Sequence, residues 1–589
     1  MTNYYVCCYD GLDTNDGSES SPFKTINFAA QKAIAGDTIN VLPGIYRERI
    51  APKNGGNRDA PITYRSTIEH GAVVTGSKVW QPETIENIIA RGPIDTSIFT
   101  DDSHVDGKNP FLIPMSVTPY GREGYPESKI KSIKNSDKNM VYCLGQVFVD
   151  DVMYTQCPYK TEMETTTNSW YYDPSSNQLY VNGICEDQSI EITTQRRLFA
   201  PHKRNLRNII VEGFIFERCA NQYPNKFWSR RSNQQAGAVG TRCGKFWIIR
   251  NNVIRYANSV GIDWGNEGGA KQDLENGSNG QAIGAYGTKI LNNIISDNGS
   301  AGTAAYMANN FEFKNNIVER NNNLKFYGKQ RWECAGVKVH RPKKSSISQN
   351  IIRDNHCHGI WSDQGAGIST AYSRNIIVNN KKSGIEFEIG TNMRAKVVNN
   401  IFDNNDTAVR FATSGGVLVS HNMFIRSKTC DIRAFFFKRP DKWDSLNLDV
   451  YYNMFCHSPQ YFMLTPNSED PKSSRTMGCN TYLNNSGKHF QLDNKKDDKP
   501  FMDYDSWKDI FNEESVLCTT QSEISLECKG CNYTLNMNMG ELPSFPKNNK
   551  NGNNSDMLNN IWGEQCICGP ISNIIVGSNK CNLNFSSFQ

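Results

Sequence analysis

No apolar run in this chain approaches the roughly 20 residues that a membrane-spanning helix needs, and Met1 to Gly11 lacks the apolar core of a signal peptide. Those absences lead us to expect a soluble, cytoplasmic chain, or a secreted one if a leader has been removed. An excess of charge of one sign is missing too: 64 Lys and Arg stand against 60 Asp and Glu, a net of +4, with no basic block. Neither nucleic acid nor a membrane is therefore an expected partner. Long helical stripes are scarce as well. Apart from one amphipathic stretch, Phe23 to Ala35, the apolar residues fall in short alternating runs. Cysteine is plentiful at 18 residues, but it is scattered over 589 positions and often flanks strand residues, as at Cys143, Cys219, Cys334 and Cys357. That pattern reads as buried thiols in a reducing compartment, not as a disulfide framework. Cys528 with Cys531, and Cys566 with Cys568, have zinc-ligand spacing but no accompanying His.

What is present is a repeat. Nearly the same phrase, an apolar pair, a polar residue, Asn and a further apolar pair, recurs ten times, with Gly in place of Asn in the first: VEGFIF, IRNNVI, ILNNII, FKNNIV, ISQNII, YSRNII, VVNNIF, VSHNMF, VYYNMF and MGCNTY. Aligned on Gly213, Asn252, Asn293, Asn316, Asn350, Asn375, Asn400, Asn422, Asn453 and Asn480, the steps are 39, 41, 23, 34, 25, 25, 22, 31 and 27 residues. Short strands at this period specify an all-β solenoid, a right-handed parallel β-helix. A bare coil takes the shortest step, so longer steps carry loops, and the recurring Asn stands where turns of successive coils stack.

A second strand follows each phrase, introduced by Gly261, Gly302, Gly336, Gly359, Gly384 or Ala408. The first and third positions after that small residue are mostly apolar and should face inward. The second and fourth should face outward. They spell Asp263; Ala304 and Tyr306; Lys338 and His340; Trp361 and Asp363; Glu386 and Glu388; then Arg410 and Ala412. Such a stripe suits a carbohydrate. Asp363 and Glu388 hold the same position on successive coils, and stacked parallel strands lie about 4.8 Å apart. Retaining glycosidases hold their carboxyl groups about 5 to 5.5 Å apart, inverting ones about 6.5 to 9.5 Å. One coil step supplies the former. The same spacing also suits acids that bind a cation or are simply solvated; Trp361, Tyr306 and His340 beside them favour chemistry. For Arg410 and Glu386 a structural ion pair is the competing reading.

The segments LKFYGKQRWECAGVKVH (Leu324 to His340), HGIWSDQG (His358 to Gly365) and EFEIG (Glu386 to Gly390) resemble the β-xylosidases of glycoside hydrolase family 120. That resemblance implies a parallel β-helix interrupted by a β-sandwich, a retaining mechanism and no cofactor or metal. It places Asp363 at the nucleophile, Glu388 at the acid/base and Glu333 at a sugar-binding acid, with Lys338 and His340 on the same face. Trp361, Tyr306 and Glu386 complete the expected substrate site. The implied partner is an oligosaccharide or other glycoside, and homo-oligomerisation through the inserted module is open.

The phrase also marks boundaries. Residues 1–79 read as a cap and first coils, 80–199 as an inserted β-sandwich-like module with strands such as GQVFVDDVMYTQ, 200–500 as the main β-helix, and 501–589 as a C-terminal extension. Two other functions fit a β-helix. A polysaccharide lyase would use Lys338 or His340 as base with a cation or Arg against a uronate, and a noncatalytic glycan-binding β-helix would grip sugar along the stripe without cleaving it.

Overall fold

The computed structural model describes residues 1–99, 109–113, 143–221, 237–266, 285–325, 334–364, 369–390, 393–435, 447–464, 475–483, 487–492, 501–548 and 554–583. The chain divides into two compact units. One comprises residues 1–285, 294–304 and 321–334; the other comprises 286–293, 305–320 and 335–589.

In the first unit the strands Asn3–Val6, Thr38–Val41, Ile62–Ser66, Ile209–Glu212 and Ile248–Arg250 pair in parallel in that order. Gly44–Tyr46, Ala72–Thr75, Ile215–Cys219, Val253–Ala257 and Ile294–Ser296 do the same on another face. Alternation explains why: Ile62, Tyr64, Ile209, Val211 and Ile249 point into the core, each fully buried, with the partly exposed Thr63, Ile210 and Ile248 beside them. The amphipathic stretch forms the helix Ile26–Lys32, whose first turn is capped by the Thr25 hydroxyl accepting from the Phe28 N–H at 3.2 Å. The interruption at 80–199 is two small sheets. Ser77–Val79, Ile190–Thr193, Val147–Val149 and Val152–Met153 form one; Thr84–Glu86, Ile89–Pro93, Gln178–Asn182, Ser169–Asp173 and Thr155–Gln156 form the other. Ile190, Ile192 and Val147 from the first share one apolar cluster with Ala90, Trp170, Leu179 and Val181 from the second.

The second unit stacks coils on three parallel faces, and the ladder asparagines hold its corners. Asn293 donates through Nδ2 to Oδ1 of Asn316 at 3.0 Å, and the pattern continues through Asn350, Asn375, Asn400, Asn422 and Asn453 to Asn480 at 2.9 to 3.1 Å. The same Oδ1 atoms take the backbone N–H of the preceding Asn. The residue before each ladder Asn is left-handed, from Asn315 and Gln349 to Arg374, Asn399, His421, Tyr452 and Cys479, with φ of 54 to 58°. Such a conformation costs a non-glycine residue about 1–2 kcal/mol, and the buried amide bonds it permits offset that cost. Gly213, at φ 79°, holds this same left-handed place, so it corresponds to Asn251; Phe214 stands where the amide would be, and its N–H bonds Asn252 Oδ1. The true first offset is therefore one residue shorter than the alignment on Gly213 and Asn252.

A second ladder runs Asn355, Asn380, Asn405 at 2.9 Å per step, each five residues after a member of the first. Stacking also continues beyond residue 500, because Val516–Cys518 pairs with Thr481–Leu483. There the helix Tyr504–Phe511 closes the core, with Trp507 stacked on Phe462 and Phe490 at 5.1 and 4.9 Å. The remaining tail includes an antiparallel sheet of Glu523–Lys529, Asn532–Met539 and Gly577–Leu583. All 18 cysteines are thiols outside any disulfide. Cys528 and Cys531 flank the turn of that sheet's hairpin, and among the described residues no third His, Cys, Asp or Glu gathers with them to hold a metal. Among the described residues no helix is long and apolar enough to cross a membrane.

Candidate active site

The second strand of each coil forms one parallel sheet, in which Ala335–His340, His358–Asp363, Ser383–Gly390 and Thr407–Ser414 are consecutive neighbours. Two rows of side chains cross it. Lys338, Trp361, Glu386 and Arg410 are register partners in one row; His340, Asp363, Glu388 and Ala412 are partners in the other. The small residue opening each strand is there for contact: a Cβ on Gly359 would stand 2.7 Å from the Gly384 carbonyl oxygen, and one on Gly384 2.7 Å from that of Ala408. Glycine and alanine let the coils close at this point, which fixes the rows that follow.

These rows are not the solvent face that alternation alone implies. Lys338 is fully buried, and His340, Asp363 and Glu386 are at most 4% exposed. Trp361 and Glu388 are half-buried, as is Tyr306. Burial turns the polar residues toward one another. Lys338 Nζ bonds Asp363 Oδ2 at 3.2 Å and sits 3.5 Å from the centre of the Trp361 ring, so its charge is held between a carboxylate and an aromatic face. His340 Nε2 lies 3.8 Å from the same Oδ2, and its ring packs 4.9 Å from that of Tyr306. Burial, then the charges of Lys338 and Arg341, lower His340 to about 2, so it is neutral and Lys338 is the cation that faces Asp363. The other carboxylate oxygen, Asp363 Oδ1, is buried and has no partner among the described residues; nor has Trp361 Nε1.

Glu386 is occupied. Both its oxygens lie within 3.1 Å of Arg410 Nη1, the Ser383 hydroxyl donates to Oε2 at 3.2 Å, and His358 Nδ1 is 4.0 Å from Oε2. Burial pushes Glu386 up to about 7; Arg410 pulls against that, and the charge of Glu388 adds to it. Burial, with Lys382, Arg410 and Lys338 behind it, holds His358 well below the ordinary imidazole range. Reading the alternation alone passes over His358 and Ser383, yet both precede the small residue of their strand, a fixed place that points at the same cluster. Glu333 lies outside the described residues. Of the other expected site residues, Asp363, Lys338, His340, Trp361 and Tyr306 form one group, Glu386 joins it through the Trp361 register pair, and Glu388 stands beside Asp363 across one strand step.

Residues 236–424 match the family model described as the right-handed beta helix region. The fold is a right-handed parallel β-helix. A second model, described as a protein of unknown function (DUF1565), matches residues 9–53 of this β-helix chain. Among solved structures, that of XylC with xylose matches with a TM-score of 0.73 at 19% identity, covering 99% of this chain and 100% of that one. One titled glycoside hydrolase matches with a TM-score of 0.49 at 11% identity, covering 85% and 98%. The uncharacterized protein YwoF of Bacillus subtilis (strain 168) is 33% identical over 81 residues, 14% of this chain and 17% of that relative's length. At 19% identity the likeness to XylC bears on the fold alone, and it agrees with the architecture of the family that the sequence resembles.

Proposed function

We propose that the chain is a retaining glycoside hydrolase acting on β-xylosides or xylo-oligosaccharides by double displacement, with Asp363 as nucleophile and Glu388 as acid/base. One observation carries the reading: Asp363 has one oxygen bonded to Lys338 at 3.2 Å and the other without a partner among the described residues, and Glu388 is its register neighbour. A nucleophile needs that arrangement, a carboxylate held by a cation on one side with a lone pair left on the other. The strand spacing of about 4.8 Å supports a retaining pair, whose carboxyl groups lie about 5 to 5.5 Å apart.

Glu386, raised to about 7, looks at first like the better proton donor. Its oxygens are engaged by Arg410 and Ser383, and it is 2% exposed, whereas Glu388 is half-buried and accessible to a leaving oxygen. In the proposed reaction Asp363 Oδ1 attacks the anomeric carbon while Glu388 protonates the departing oxygen. Glu388 then deprotonates the water that releases the sugar. Trp361 and Tyr306 offer aromatic surface to the sugar, and His340 and Glu333 its hydrogen bonds. That XylC was solved with xylose supports the choice of sugar to test first.

Proton NMR of an aryl β-xyloside reaction at early time should show the β-anomer as first product; the α-anomer would sink the retaining assignment. Asp363→Asn should abolish turnover of every aryl xyloside, while Glu388→Gln should be partly rescued by azide with activated leaving groups. Equal panels of aryl α-arabinoside, β-glucoside and β-galactoside test the sugar.

A further inference from the structure

A cavity of about 600 Å³ lies in the first unit, between the inserted module and the coils of that unit, and shares no residue with the carboxylate rows. Its walls are held together on one side by Arg218. This guanidinium bonds Glu191 Oε2 at 2.5 Å and Asp151, and covers the Phe148 ring at 4.8 Å. Phe148 in turn meets Tyr256 edge-on at 5.6 Å. Arg218 and Tyr256 come from the coils; Asp151, Glu191 and Phe148 come from the module.

Two amides line the cavity with groups left unmatched. Gln146 is 4% exposed; its backbone N–H bonds the Thr193 hydroxyl and its Nε2 reaches Met153 Sδ at 3.8 Å, but Oε1 has no partner among the described residues. Asn258 is 2% exposed; its backbone N–H bonds the Cys219 carbonyl at 2.7 Å, but Nδ2 has none. Buried polar groups are normally matched, so an unmatched acceptor and an unmatched donor on one cavity wall point to a ligand that supplies both. The aromatic walls are already satisfied: Trp170 Nε1 donates to the Tyr154 carbonyl at 3.2 Å, and the Tyr154 hydroxyl donates to the Gly183 carbonyl at 2.9 Å. They therefore contribute apolar faces. The charged lining is Glu162, Asp297 and the bound Asp151 against Lys325, which disfavours an anion.

We propose that this cavity is a second saccharide site, separate from the catalytic pair, for a neutral oligosaccharide of about two rings. The cavity falls within the roughly 300–1,000 Å³ of small-molecule sites. Sugar hydroxyls both donate and accept, as Gln146 and Asn258 require, and sugar C–H faces match Trp170 and Tyr154.

The test is calorimetric titration of the full chain carrying Asp363→Asn with xylotriose, cellotriose and trigalacturonate. One event with a neutral sugar should weaken at least tenfold in the Gln146→Met, Asn258→Leu double variant, and trigalacturonate should not produce it. If no saccharide-binding event depends on those two residues, the cavity holds only water and the proposal fails. Circular dichroism checks the fold; should the double variant unfold, Gln146→Met alone is titrated and must weaken the same event. Hydrolysis of aryl xyloside by the Gln146→Met chain with Asp363 intact reads the catalytic proposal separately.

Discussion

At the scale of single residues, the site is governed by what burial does to charge. Lys338 is the group that keeps the Asp363 carboxylate in company, since His340 beside it is held neutral. Lys338→Met should therefore lower kcat on aryl xylosides at least about tenfold with the circular dichroism spectrum unchanged. An unchanged kcat would mean that Lys338 only packs under Trp361. His340 makes a separate prediction about stability. Its folded pKa, about 2, lies below the ordinary 6.5, so between those values the unfolded chain binds the extra proton. Stability then falls as pH drops below 6.5, by at most about 1.4 kcal/mol per pH unit for one proton. Glu386 has the opposite sign between 4.5 and about 7, where the folded chain holds the extra proton. His340→Asn should flatten the loss of melting temperature on acidification from pH 6 to 5, and Glu386→Gln should steepen it. Thermal melts at the two pH values measure both. The pairing of Asp363 with Glu388 was legible in the sequence because it needs only a count from one small residue to the next. The Arg410–Glu386 ion pair was legible from the same count, as opposite charges on neighbouring coils, but the burial of both rows was harder to read, because alternation tells which side of a strand a residue takes and says nothing of what lies over that side.

Among the elements, the asparagine phrase was the most legible feature, and it specified the coil register through the site. The second ladder was also written in the chain, as Asn five residues after Asn in coil after coil, but its flanking residues vary more and no apolar pair frames it. Loops that lengthen a coil carry no period at all, which is why Glu333 could be placed only by resemblance. The ladder itself is testable at Asn400. Its Nδ2 donates to Asn422 Oδ1 at 2.9 Å and to the Tyr372 carbonyl at 3.0 Å, while its Oδ1 takes the Asn375 amide at 3.0 Å. Asn400→Leu leaves several buried partners unmatched at about 1–3 kcal/mol each. The melting temperature should drop by several degrees and kcat should fall with it, since Asn400 precedes the Thr407–Ser414 strand that pairs with the strand of Glu386 and Glu388. Lys396→Ala, exposed on the same coil, should do neither.

For the whole molecule, the sequence led us to expect a capped solenoid interrupted near residues 80–199 with coils to about 500, and the strand Val516–Cys518, which pairs with Thr481–Leu483, follows no Asn phrase. In that coil Glu513 does what the next Asn would have done. It is 1% exposed and accepts from Asn480 Nδ2 at 3.1 Å, the Tyr482 hydroxyl at 2.7 Å, Trp507 Nε1 at 2.9 Å and the Ser515 hydroxyl. Burial pushes its pKa up while the four donors pull it back. Every amide from Asn293 to Asn453 donates in the same sense, toward the C-terminus, so the row is a line of aligned side-chain dipoles whose positive end arrives at this acid. The solenoid thus carries inside it the counterpart of an α-helix macrodipole, with a carboxyl group at the end where an anion is favoured. Glu513→Gln, which keeps the shape but turns an amide N–H₂ toward donors that now meet an oxygen, should then cost stability, and because burial raises the acid above its unfolded pKa that cost should be larger at pH 4 than at pH 7. A penalty independent of pH would mean that the four donors and the polarity of the row offset burial in full.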